Sequence, residues 1–130
     1  MTRIEMTEYW IKAAEFDFPV MEKLFHSGDY VWSLYISHLL LEKIVKAYFV
    51  SVLGTTPPKT HNLVKLAEMS GLTTDVNKLN LLDEINEFNI EARYPDTKFD
   101  LYKKCNKDFS ESYLTKIKEL YKWIKSEIKH

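Results

Sequence analysis

The sequence predicts an all-α protein, and three observations support this fold class. Its 130 residues include only three glycines and four prolines, too few for an all-β sandwich or barrel, which turns about every 8–12 residues. Apolar residues recur at spacings of three and four, the pattern of amphipathic helices. The apolar fraction of 45% and the charged fraction of 28% are those of a globular domain. We therefore expect one domain over residues 1–130, an up-and-down antiparallel bundle of four long helices and one short helix.

The first two helices are predicted in the N-terminal half of the chain. Apolar spacing places the first at about Thr7–Phe25, with a kink or break near Glu15–Phe18, because Pro19 removes a backbone donor. The second, at about Tyr30–Leu53, is apolar almost all round, which indicates a central helix packed on several sides. Its apolar circumference exceeds what a small bundle needs, so we also expect it to contact a second copy in a homodimer.

The remaining helices follow a proline turn. Thr60 is the predicted N-cap of a short third helix at about His61–Ser70. The fourth helix is predicted to begin near Val76–Lys78 and to end at about Arg93, with a polar loop from there to about residue 107. The last helix, at about Phe109–Ile128, has clean three- and four-residue spacing of its apolar residues.

Charge and cysteine content exclude several classes of function. A formal net charge of −1 gives no overall electrostatic footprint for nucleic acid or a membrane. The single cysteine, Cys105, excludes an intramolecular disulfide and a cysteine-based zinc cluster. The four histidines lack metal-ligand spacing, and no apolar stretch is long enough to span a bilayer. We expect a cytoplasmic protein with no metal, no cofactor and no membrane partner.

Two groups of polar residues are candidates for a site in the middle of the chain. His38, Glu42 and Lys46 recur every four residues as one stripe along the predicted central helix. Glu42 and Lys46 have the favourable orientation for an ion pair, so the stripe is either a structural pair that orients helices or part of a ligand site. Lys59 and His61 flank a predicted helix N-terminus, which is either an anion site or an ordinary capped helix after a turn.

A third candidate lies at the end of the predicted fourth helix, where Arg93 precedes Tyr94, Pro95 and Asp96. Arg93 is one of two arginines in the chain. A guanidinium binds phosphate or carboxylate through two hydrogen bonds, which lysine cannot do. The alternatives are that Arg93 caps the helix carbonyls or pairs with Asp96, which would be structural roles.

These segments together resemble a HEPN domain, the "higher eukaryotes and prokaryotes nucleotide-binding" family. The resemblance covers about residues 10–128. It implies a five-helix up-and-down bundle that is commonly dimeric and often encoded beside a minimal nucleotidyltransferase. The segments that carry the resemblance, in order, are Ala14–Asp17, Ser27–Tyr30, Leu41–Ala47, Pro57–Leu63 and Ala92–Asp96.

Some HEPN proteins are toxins that cut RNA through an arginine and a histidine separated by four to six residues, and this sequence lacks that pair. No histidine follows Arg93 until His130. We therefore expect a non-catalytic module that binds a nucleotide, RNA or a protein partner, the companion of a nucleotidyltransferase in a toxin–antitoxin-like system. The alternative is a ribonuclease toxin with an atypical site built from Lys46, Lys59, His61 and Arg93.

If the segments converge in one cleft, its phosphate- or nucleotide-binding residues are Glu42, Lys43, Lys46, Lys59, Thr60, His61, Arg93, Tyr94 and Asp96.

Overall fold

The computed structural model describes residues 1–129, and their side chains except those of residues 95–99. Within these residues the protein is all-α, as predicted, and none of its helices is both long and apolar enough to cross a membrane. The described helices are α1 (Arg3–His26), α2 (Tyr30–Leu53), α3 (Leu63–Ser70), α4 (Val76–Arg93), α5 (Pro95–Lys104) and α6 (Lys107–Glu127).

Helix α2 is the central helix, as its apolar circumference predicted. It packs against α1, α3, α4, α5 and α6. Leu34, Leu40 and Ile44 are among its side chains with no exposed surface, and burying each such side chain contributes about 1.5–3 kcal/mol. Helices of the same chain cover most of α2, although Trp32, Val52 and Leu53 stay exposed. The homodimer stays a prediction.

Helix α1 continues through Pro19, so of the kink or break predicted near Glu15–Phe18 the break is wrong. Pro19 lies on the exposed side of the helix, where water can satisfy the carbonyl that loses its backbone partner. The helix also begins earlier than predicted, because Thr2 and Glu5 form a reciprocal capping box at its start.

Helix α3 begins at Leu63, two residues later than predicted, and its N-cap is Asn62 rather than Thr60. The Asn62 side chain accepts a hydrogen bond from the backbone N–H of Lys65 at 3.2 Å. Thr60 Oγ1 accepts instead from the backbone N–H of Asn62 at 3.2 Å. Thr60 therefore shapes the turn that leads into the cap. Asn62 itself has an extended backbone.

The predicted loop after α4 contains a further helix, α5, so the described chain has the expected four long helices and two short helices instead of one. Pro95 stands at the start of α5, where its fixed φ and missing N–H suit the first helical turn. Tyr94, with an extended backbone, is the only residue between α4 and α5. Helix α6 follows after Asn106, whose side chain caps it by accepting from Phe109 N at 2.8 Å.

Candidate functional site

A buried ion pair on α2 forms the base of the candidate site. Glu42 and Lys46 are each 7% exposed, and Lys46 Nζ donates a hydrogen bond to Glu42 Oε2 at 2.9 Å. Lys46 Nζ also lies 5.3 Å from the centre of the Trp10 ring, a cation–π distance. Burial would raise the pKa of Glu42, but hydrogen bonds from Lys46 and His61 outweigh it and hold the pKa below its usual value. Glu42 is therefore a buried carboxylate ion.

The second oxygen of that carboxylate orients His61. His61 Nδ1 donates to Glu42 Oε1 at 2.8 Å, which leaves Nε2 as the ring nitrogen available to solvent or a ligand. The two partners differ in exposure, since the side chain of Glu42 is 9% exposed and that of His61 is 60% exposed. The carboxylate thus holds a surface imidazole in one orientation from inside the bundle.

His38 is fully buried beside this pair, and its contacts define its tautomer. Nε2 lies 2.8 Å from the backbone carbonyl oxygen of His61. A carbonyl only accepts, so Nε2 carries the proton. Nδ1 lies 3.3 Å from Asn89 Nδ2 and accepts from that amide. Burial lowers the pKa of His38, which agrees with a neutral ring. His38 thereby links α2, the segment before α3, and α4.

Asparagines on α4 complete this linkage. Asn86 Oδ1 accepts from the backbone N–H of Leu63 at 2.9 Å, and Asn86 Nδ2 donates to Asn62 Oδ1 at 3.1 Å. One turn further along α4, Arg93 Nε donates to the backbone carbonyl of Asn89 at 3.2 Å. Hydrogen bonds to groups of α4 therefore position both the start of α3 and the side chain of Arg93.

A surface cavity of about 340 Å³ lies between α4 and the segment before α3. Its charged groups are of both signs, Arg93 on one side and Asp83 and Glu87 on the other, and the imidazole of His61 lies among them. Such a lining can hold a small ligand through hydrogen bonds and charge at several points. The cavity is lined by His61, Asn62, Asp83, Asn86, Glu87, Asn89, Ile90 and Arg93.

The structure brings four of the predicted site residues together. Glu42, Lys46 and His61 are joined by direct hydrogen bonds, and Arg93 lines the same cavity as His61. Glu42 and Lys46 are not part of the cavity wall and reach it only through His61. These four residues are therefore divided between an exposed cavity, lined by His61 and Arg93, and a buried ion pair behind it.

The other predicted site residues are placed differently. Lys43 Nζ donates to Asp17 Oδ2 on α1 at 2.6 Å, apart from the Glu42 network. Lys59 is exposed in the segment before α3, and Thr60 belongs to the turn there. The ring of Tyr94 has its centre 5.8 Å from the guanidinium carbon of Arg93. The side chain of Asp96 lies outside the described residues.

Asn86 and Asn89 are site residues that the sequence analysis missed. Asn89 follows Ile85 by four residues and Phe88 by one, so it falls on the apolar face of α4, where it is 3% exposed. A polar side chain on an apolar stripe is a signal that the sequence does contain. Its partner His38 could not be identified, because the two residues are 51 positions apart.

Metal binding has no geometric support in the described part of the chain. Among those residues, no group of three or more histidine, cysteine, aspartate or glutamate side chains is arranged to hold a metal ion.

Comparison with known proteins gives two matches and one negative result. The family model of the HEPN domain matches residues 7–128. The crystal structure of TT1696 from Thermus thermophilus is similar in fold, with a TM-score of 0.77 and 13% identity, over 93% of this chain and 97% of that one. No curated protein matches the chain. At that identity the likeness to TT1696 concerns the fold alone.

Proposed function

The chain belongs to the HEPN domain family, and from that membership we propose that it is a binding module for a phosphate-bearing ligand, a nucleotide or RNA. The proposed site is the cavity between α4 and the segment before α3. In this role the protein holds its ligand without cleaving it.

The observation that carries the proposal is the pairing of Glu42 with His61 beside Arg93. The carboxylate fixes Nδ1 of the imidazole at 2.8 Å, so the other ring nitrogen is presented with little conformational freedom to lose on binding. Arg93 lines the same cavity, and its guanidinium is suited to two hydrogen bonds with phosphate. Nε2 donates to an anion when the ring is protonated, so the imidazolium of His61 and the guanidinium of Arg93 together form an anion-binding pair.

The partners and the biological setting follow from the family resemblance. HEPN domains of this kind imply a minimal nucleotidyltransferase as companion, in a toxin–antitoxin-like system in the cytoplasm, and a homodimer. The absence of a histidine separated from Arg93 by four to six residues supports a non-catalytic role. Lys59 and Thr60 precede His61 and are assigned to the phosphate side of the site, with Tyr94 beside Arg93.

Calorimetric titration with ATP and with a short RNA tests the proposal. Binding should weaken as salt is added, because the ligand is anionic. Arg93→Gln and His61→Gln should each weaken it about tenfold or more, which corresponds to about 1.4 kcal/mol. His26→Gln is the matched control, since His26 is exposed at the end of α1 and far along the chain from the cavity. Equal binding by all four proteins would refute the proposed site.

A ribonuclease is the second candidate, because a carboxylate that holds Nδ1 of a histidine is also the arrangement of a general base. His61 would act through Nε2 and Arg93 would stabilise the phosphate, with Lys46 as support for Glu42. An RNA-cleavage assay decides between the two functions. Cleavage that is lost in His61→Gln and kept in His26→Gln favours the enzyme, whereas intact RNA with measurable binding favours the module.

A further inference from the structure

We infer that the cavity binds a single nucleotide whose base carries hydrogen-bond donors on its pairing edge, with guanine as the best fit and uracil as the poorest. This inference rests on the proposed function, since it takes the phosphate to be held by Arg93 and His61. It adds the identity of the base, which lies at the end of the ligand away from the phosphate.

The cavity has a basic end and an acidic end along α4. An α-helix rises about 1.5 Å per residue, so Arg93 lies about 9 Å along the axis from Glu87 and about 15 Å from Asp83. All three line the one cavity. A ligand that spans it therefore meets a cation at one end and two carboxylates at the other.

The segment before α3 places His61 toward the basic end. Leu63 and Asn62 contact Asn86, whereas the carbonyl of His61 is connected through His38 to Asn89. Going from residue 63 back to residue 61, the segment therefore runs along α4 in the direction of Arg93. The anion-binding groups are grouped at that end.

The acidic end of the cavity favours a base that presents hydrogen-bond donors. A carboxylate only accepts hydrogen bonds, and within the described residues neither Asp83 nor Glu87 forms an ion pair with a lysine or arginine. Guanine offers two neighbouring donors, N1–H and the 2-amino group, which match the two oxygens of one carboxylate. Adenine and cytosine each offer one amino group. In uracil, two carbonyl oxygens flank the single N–H and repel a carboxylate.

The size and charge of the cavity favour one nucleotide over a polymer. Its volume of about 340 Å³ is at the small end of the usual range for ligand pockets. A chain of several nucleotides would bring further phosphates past Asp83 and Glu87, where like charges repel. The carboxylates thus disfavour extended RNA and favour a ligand with one phosphate group and one base.

The test is a calorimetric comparison of GMP, AMP, CMP and UMP on the full chain. We expect GMP to bind about tenfold or more tightly than UMP, with AMP and CMP between them. Asp83→Asn combined with Glu87→Gln should reduce the difference between GMP and UMP to less than about threefold. Both side chains are exposed, so the fold should tolerate the change. Glu84→Gln is the matched control, because Glu84 is exposed on the same helix and does not line the cavity.

The outcomes separate this inference from the function on which it rests. If GMP and UMP bind equally and Arg93→Gln weakens both, the base preference is wrong and the phosphate site stands. The same conclusion follows if RNA binds through Arg93 while no mononucleotide does. If neither mononucleotides nor RNA bind, the proposed function fails as well. A preference for GMP that survives in the double variant would also refute the assignment to these carboxylates.

Discussion

Replacing Glu42 by glutamine removes the charge at the centre of the buried network, and the structure sets the size of the effect. The carboxylate accepts from Lys46 at 2.9 Å and from His61 at 2.8 Å. Glutamine keeps the shape but has one acceptor oxygen, so one of the two donors loses its partner. Losing a charged hydrogen bond costs about 1.5–3 kcal/mol, and a buried lysine without its counter-charge about 3–5 kcal/mol. We expect Glu42→Gln to lower the free energy of unfolding by about 3 kcal/mol at neutral pH.

The effect of Glu42→Gln depends on pH. Burial, which raises the pKa of Glu42, is outweighed by hydrogen bonds from Lys46 and His61, so the pKa in the folded protein lies below 4.5. A carboxyl whose pKa is lower in the folded state stabilises the fold above its unfolded pKa, and this stabilisation is lost as the pH falls through the folded value. The difference between wild type and variant is therefore full at neutral pH and shrinks below about pH 4.5. His38, whose Nδ1 lies 4.0 Å from the carboxylate, is present in both proteins.

Urea denaturation at a series of pH values measures this difference. Glu22→Gln is the matched control, because Glu22 pairs with Lys118 at 3.0 Å while both side chains are more than one third exposed. An exposed pair of this kind contributes about 0–1 kcal/mol. Equal losses for the two variants would refute the reasoning that burial sets the magnitude. A difference between wild type and Glu42→Gln that does not change at acid pH would refute the lowered pKa.

Three further predictions concern other parts of the fold. Gly54→Ala and Gly28→Ala should destabilise the protein by similar amounts, about 1–2 kcal/mol each in urea denaturation, because both positions have positive φ. At Gly54 the new Cβ meets only the end of the exposed Arg3 side chain, which can move aside; a much larger loss at Gly54 would contradict this. Ser110→Ala should stabilise the protein by about 1 kcal/mol, since the buried Oγ has no hydrogen-bond partner in the described structure, and a loss of that size would show that it has one. The Cys105 thiol, whose pKa burial raises to about 11, should react with a disulfide reagent at pH 8 at least about 100-fold more slowly in the folded than in the unfolded protein, and rapid reaction of the folded protein would contradict its burial.

The helices with strong local signals could be predicted from the sequence. The bounds predicted for α2, Tyr30–Leu53, are those observed, because a glycine turn precedes this helix and Gly54 ends it in the left-handed conformation. The end of α4 at Arg93 was also correct. In both cases the residues that end the helix are adjacent to it in the sequence.

Two errors in the predicted helices arose where the sequence allows two interpretations. Thr60 and Asn62 are both good N-caps, and the choice between them depends on the contacts of Asn62 with Asn86, which are tertiary. A proline is common just after the end of a helix and also in the first turn of a helix. Pro95 occupies both positions, because it follows α4 and begins α5. The sequence pattern alone could not distinguish these uses.

The candidate site was predicted only in part, for a similar reason. The spacing of Glu42 and Lys46 predicted their ion pair, which is local to α2. The bond from His61 to Glu42 joins residues 19 positions apart, and no periodicity within a helix reports on it. Lys43, next to Glu42 in sequence, points to α1 instead, because adjacent residues on a helix face directions about 100° apart.

The short turn between α1 and α2 has a consequence for the order in which the protein folds. These two helices share the most extensive interface of the described structure, and only residues 27–29 separate them. Contacts between neighbours in sequence need little loop closure and form early, whereas the bonds that join α2 to residue 61 and to α4 must wait for longer loops to close. We expect the α1–α2 hairpin to be formed in the transition state and the cavity to be completed after it. Substitutions in the site should then speed unfolding while leaving the folding rate nearly unchanged.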